Sequence, residues 1–98
     1  MDDLIFDDGA KLLAALANDK RLRILRILAR HETAVGDLAA QVGISQSALS
    51  QHLARLKADD FVTTRRQAQN IFYSTNHAGV CRMLRTLDDL CLQTESDS

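Results

Sequence analysis

"GISQSALSQHLARLK", residues 43–57, decides how this chain is read. Leu49, Leu53 and Leu56 recur at i, i+4 and i+7, which is the apolar stripe of one helix face. Ser47, Ser50, Gln51 and Arg55 fall on the other side. A face that needs only to be wet more often carries Glu and Lys. Ser, Gln and Arg can instead read base edges or hold phosphates. The competing reading is a polar face with no partner. Gly43 permits a left-handed turn, Ile44 can plug the angle behind it, and Ser45 is a good N-cap for the helix. Just before them, "VGDLAAQV" (35–42) sets Val35, Leu38, Ala39 and Val42 on one side of a short helix. A short helix, a Gly-containing turn and a second helix with a polar outer face make a helix-turn-helix.

Two more helices are expected upstream. "LIFDDGAKLLAALA" (4–17) is the first, and Asn18 and Asp19 can close it and cap the next. "DKRLRILRILARH" (19–31) is the second, with Leu22, Leu25, Leu28 and Ala29 as its buried stripe. Downstream the period changes. "FVTTRRQAQNIFYST" (61–75) has β-branched and aromatic residues at both ends, so it reads as two strands joined near Gln67–Asn70. A hairpin directly after a recognition helix is a wing. "NHAGVCRMLRTLDDLCLQ" (76–93) is an amphipathic last helix. The expected fold is mainly α with one β-hairpin, in the order α-α-α-α-β-β-α, as one domain over residues 1–98 with acidic termini.

The charge is arranged in blocks. In residues 1–19 five aspartates oppose Lys11, giving −4; in 20–66 nine basic residues oppose four acidic ones, giving +5; in 67–98 two oppose four, giving −2. The net charge of −1 thus hides a basic middle, the pattern of a phosphate-binding surface or of a solvated one. There is no Pro, and no apolar run nears the ~18 residues of a membrane span. The start, "MDDLIFDDGAK", lacks the positive residues of a secretory signal, and two cysteines read as reduced thiols. A cytoplasmic, nucleoid-associated protein is expected, with no membrane partner. There is no nucleophile–base motif, phosphate-binding Gly loop or complete metal set, so an enzyme is not expected and no cofactor is required.

Three segments together, "LANDKRLRILRIL", "SQSALSQHLARLK" and "TTRRQAQNIFY", resemble the ArsR/SmtB family of winged-helix repressors. The likeness spans roughly residues 10–92 and is greatest to the branch of nodulation, haemolysin and sulfide-responsive regulators. It implies a homodimer built from the first and last helices and a palindromic double-stranded operator. The expected DNA contacts are Ser45, Gln46, Ser47, Ser50, Gln51, Arg55 and Lys57, with Arg65, Arg66 and Gln69 on the wing. The expected dimer seam is Leu12, Val80, Leu84, Leu87 and Cys91, because the last helix carries more apolar surface than a small domain can cover alone. A winged-helix module that binds protein and no DNA is the alternative from another class.

The family's known switches do not transfer. Ala34 and Gly36 stand where metal-sensing members carry a Cys-x-Cys box. Asn76, Ala78, Asp89 and Leu92 stand at the zinc positions of the last helix. Arg26 replaces the second-helix cysteine of the sulfide branch. Cys81 and Cys91 remain, about 15 Å apart along one helix and too far for an internal disulfide, which needs Cα atoms within ~7 Å. If two last helices pack antiparallel about Thr86, Cys81 faces Cys91 of the other copy and His77 faces Glu95. That allows an intersubunit thiol pair or a metal site of His77, Cys81, Cys91 and Glu95. The other reading is that the cysteines are small hydrophobes packed in a seam.

Overall fold

In the computed structural model the backbone is described over residues 3–96 and the side chains over 7–91. The elements run α1 (Asp3–Leu16), α2 (Asp19–Arg30), β1 (Thr33–Ala34), α3 (Val35–Val42), α4 (Gln46–Ala58), β2 (Thr63–Gln67), β3 (Asn70–Ser74) and α5 (Ala78–Ser96). No helix among the described residues is long and apolar enough to cross a membrane.

Side chains fix the corners. Asn18 Oδ1 accepts from the backbone N–H groups of Lys20 and Arg21, both at 3.0 Å, and so caps α2. Arg21 reaches back to the end of α1 and donates to the carbonyls of Ala15 (3.2 Å) and Ala14 (2.9 Å). One two-residue corner thus satisfies orphan groups of both helices. Gly43 closes α3 at φ 80°, where a β-carbon would be strained. Two residues on, Ser45 Oγ accepts from Ala48 N–H at 3.1 Å and starts α4. The α3–α4 pair is the helix-turn-helix.

One core lies between the helices. Ile24, Leu25, Leu28, Leu38, Leu49, Leu53, Leu56 and Val80 are its fully enclosed large side chains. The stripe expected on α2 needs correcting. Ile24 is buried, Leu22 is half-buried, and Ala29 is exposed at the edge of a recess between α2 and α5. The burial centre of α2 lies along Ile24, Leu25 and Leu28, rotated toward Ile24 from the predicted line.

The hairpin has a third strand that the sequence did not announce. The sheet order is β1-β3-β2, all antiparallel, with Thr33 opposite Tyr73 and Ala34 opposite Phe72. On the other side Thr64 faces Tyr73, Arg65 faces Phe72 and Gln67 faces Asn70. Ala68 and Gln69 form the tip, Ala68 at φ 56°. At the base, buried Thr75 donates through Oγ1 to the carbonyl of Phe61, and its N–H bonds the carbonyl of Leu28 at 3.2 Å. The wing is therefore stitched to α2 as well as to the end of α4.

The last helix starts two residues later than expected. His77 Nδ1 accepts from Val80 N–H at 3.2 Å and acts as its cap, while the ring meets Phe61 edge-on with centroids 5.0 Å apart. Two residues of the expected seam need correcting. Val80 and Leu84 are buried against their own protomer, at 0% and 5% exposure, so they are core residues and leave no bare stripe. Leu12 and Leu87 are half-buried, and Leu12 packs on the core. Among the described residues of α1 and α5, the large apolar side chains that stand exposed are Leu13 and Leu90.

Candidate nucleic-acid interface

The helix α4 turns Leu49, Leu53 and Leu56 inward, which fixes what faces out. Gln46, Ser47, Ser50 and Gln51 are all exposed. None of these four side chains is spent on a hydrogen bond among the described residues. Ser45 is exposed too, but its oxygen already serves the cap, which leaves its hydroxyl proton to give. The N-terminal half of α4 thus offers uncharged donors and acceptors at the positive end of the helix dipole. The C-terminal half offers charge. Lys57 is exposed, and Arg55 lies 3.4 Å from Asp59 while three-quarters open to solvent. That pair is loose enough for a phosphate to compete with Asp59.

The two wing arginines point to opposite faces of the sheet, as successive strand residues must. Arg65 lies on the face of Phe72 and Gln67, and Arg66 on the face of Ile71 and Tyr73. Arg65 has a partner at each of its three nitrogens while its side chain stays half exposed. Its Nε donates to both Glu32 oxygens (3.2 and 3.0 Å), Nη2 to Glu32 Oε1 (2.6 Å) and Nη1 to Gln67 Oε1 (2.9 Å). The guanidinium also sits over the Phe72 ring, 4.9 Å from its centre. This bonding holds the Glu32 carboxyl below its ordinary range and pushes Arg65 up, the hydrogen bonds outweighing partial loss of water. Arg66 is exposed and makes no ion pair among the described residues, and Gln69 is exposed at the tip. Glu32 and Phe72 were not among the residues expected at this site. Glu32 carries no sequence signal, because its link to Arg65 exists only once β1 joins the sheet, while Phe72 meets Arg65 through the β2–β3 register itself.

A helix-turn-helix followed by a wing is now in place, and the comparisons agree with it. Residues 18–64 match the family described as "Bacterial regulatory protein, arsR family". Nodulation protein NolR of Rhizobium meliloti is 53% identical over 82 residues, which is 84% of this chain and 67% of NolR. Transcriptional activator HlyU of Vibrio cholerae is 46% identical over 82 residues, 84% of this chain and 76% of HlyU. A homodimeric winged helix-turn-helix DNA-binding domain from Mycobacterium bovis superposes with a TM-score of 0.84 at 28% identity, covering 98% of this chain and 89% of that one. The chain belongs to the arsR family of bacterial regulatory proteins. It is a winged helix-turn-helix transcriptional regulator, and the fold expected from the sequence is the one found.

Within this ArsR-family protein the expected sensor residues are spread out. Cys81 is half-buried beside Arg26, Leu84 and Arg85, and Cys91 is exposed further along α5. The ring nitrogen Nδ1 of His77 is taken by the α5 cap. The side chain of Glu95 lies outside the described residues. Among the described residues of one protomer, no three His, Cys, Asp or Glu side chains gather as a metal site would need. Arg26, which stands where the sulfide branch carries a cysteine, is paired with Asp88 of α5 at 2.5 Å.

Proposed function

We propose that this ArsR-family regulator is a homodimeric repressor that binds a palindromic operator and works at the nucleoid. In this reading the two α4 helices enter successive major grooves, and each wing lies along the backbone or minor groove. The observation that carries it is the α4 face: four exposed, unspent polar side chains stand opposite three buried leucines. Gln51 and Gln46 can each pair bidentately with adenine, while Ser47 and Ser50 accept several partners. Arg55, Lys57 and Arg66 supply phosphate contacts, and Gln69 reaches from the wing tip.

Dimer formation through α1 and α5 is supported by Leu13 and Leu90, exposed at 58% and 55% on those helices. A second copy that covers them supplies the two-fold axis that a palindrome mirrors.

The test is a gel shift with the protein's own upstream region, alongside a reporter driven by that region. Retardation with reduced expression supports the repressor. Retardation with raised expression makes it an activator. No retardation at low salt, with the protein folded and dimeric, leaves the protein-binding module in its place.

A further inference from the structure

The wing arginines are conventionally alike: two adjacent cations on a hairpin, both reaching for DNA. Their surroundings here are not alike. Arg65 has every nitrogen committed and a ring beneath it, while Arg66 on the opposite face has no ion-pair partner among the described residues. The partners of Arg65 also come from separate places. Glu32 precedes β1, Gln67 ends β2, and Phe72 belongs to β3 between them. The pair therefore passes over the central strand, β3, and ties the segment before β1 to β2. Because β1 follows α2 directly, the tie runs from the body of the protein to the outermost strand of the wing.

Resting on the reading that the wing meets DNA, we propose that Glu32, Arg65 and Phe72 form a clamp that sets the wing's pose, so that Arg65 is a positioning residue and Arg66 is the phosphate contact.

β1 is only two residues long, so the sheet that anchors the wing is short of backbone hydrogen bonds on that side. A bidentate carboxylate–guanidinium fork supplies a fixed angle that a two-residue ladder does not. The Phe72 ring beneath the guanidinium adds a cation–π contact at the same place. Glu32 is the decisive member. A residue that only gripped phosphate would gain nothing from a carboxylate on its fork, since the carboxylate takes the Nε–Nη2 edge that a bidentate phosphate would use. A clamp requires it.

The experiment uses the whole protein and its operator in four forms. The first is Glu32→Gln with Arg65→Gln, which deletes the pair and keeps the net charge. Its operator affinity falls roughly 2- to 10-fold, the loss expected when a segment must be ordered on binding instead of beforehand. Its plot of log affinity against log salt keeps the wild-type slope. Amide exchange across residues 63–74 quickens, while α2 and α4 stay protected. The second is the exchanged pair, Glu32→Arg with Arg65→Glu, which restores slow wing exchange and affinity together. The third, Arg66→Ala, flattens the salt slope by about 0.9, the value for one phosphate contact. The wild type is the fourth.

A double-neutral variant whose salt slope drops by about 0.9 makes Arg65 a phosphate contact and overturns the clamp. Unchanged wing exchange in that variant overturns it as well, as does an exchanged pair that recovers nothing. An unchanged slope in Arg66→Ala instead fails the DNA-bound wing, and it is read independently of the exchange data.

Discussion

Arg26 Nη1 lies 2.5 Å from Asp88 Oδ1, so α2 and α5 are joined by charge beside the half-buried thiol of Cys81. Both side chains are about a third or more exposed, which screens the pair. Arg26→Ala and Asp88→Ala should each cost at most about 1 kcal/mol of unfolding free energy. The double variant should cost little more than either, and the coupling should shrink in strong salt. Urea unfolding at two salt concentrations measures this. Additive losses of the two single variants would show that the pair contributes nothing.

Glu32 gives the protein a dependence on pH. Its carboxyl titrates below the ordinary 4.5 in the folded protein because Arg65 hydrogen-bonds the charged form. A depressed carboxylate adds stability that is complete above the unfolded value and fades as pH falls through the folded one. Wild type should therefore lose more stability than Glu32→Gln between about pH 6 and about pH 3, and the two should run parallel above about pH 6. Denaturant midpoints across that range check it. Parallel curves down to acid would refute the assignment.

Gln51 should report on sequence. Its amide is exposed and unspent on α4, so Gln51→Ala should weaken operator binding by roughly 1–3 kcal/mol and relax the preference at one or two base pairs per half-site. Random DNA should be bound almost as before. Competition gel shifts with single-base operator variants separate this from an overall loss, which would mean that Gln51 does not read a base.

The apolar residues of α1 and α5 divide into two kinds. Leu84 is inside its own protomer, so Leu84→Glu should cost about 3 kcal/mol or more, or prevent folding. Leu13 is outside. Leu13→Asp should leave the helical spectrum intact while sedimentation shows monomers with poor operator affinity. A stable dimer in that variant would place the subunit contact elsewhere.

Much of the fold was legible because its signals are local. The Leu49–Leu53–Leu56 stripe, Gly43 and Ser45 name a helix-turn-helix within fifteen residues, and the turn has the left-handed Gly and the capping Ser that were read there. Asn18 did the same for the corner before α2. What escaped depends on distant partners. Two residues of β1 have no period to detect, so neither the third strand nor the Glu32–Arg65 clamp could be read. The stripe on α5 was visible, but a stripe does not say whose core it enters. Val80 and Leu84 turned inward and left Leu13 and Leu90 outside. On α2 the apolar residues are dense enough to support two neighbouring faces, and only packing chose the one that takes in Ile24 beside Leu25 and Leu28.

Arg21 is a cation whose ligands are carbonyls of the preceding helix, while its own N–H is held by Asn18. Such a corner has no slack. A hinge there would have to break a cap and two side-chain bonds at once, so α1 and α2 turn as one piece. In the proposed dimer, rocking at a contact on α1 would then pass into α2, and from there through the shared core toward α4. The stiffness of that bend would, in such a dimer, stand in place of a flexible relay on the way from subunit contact to DNA face.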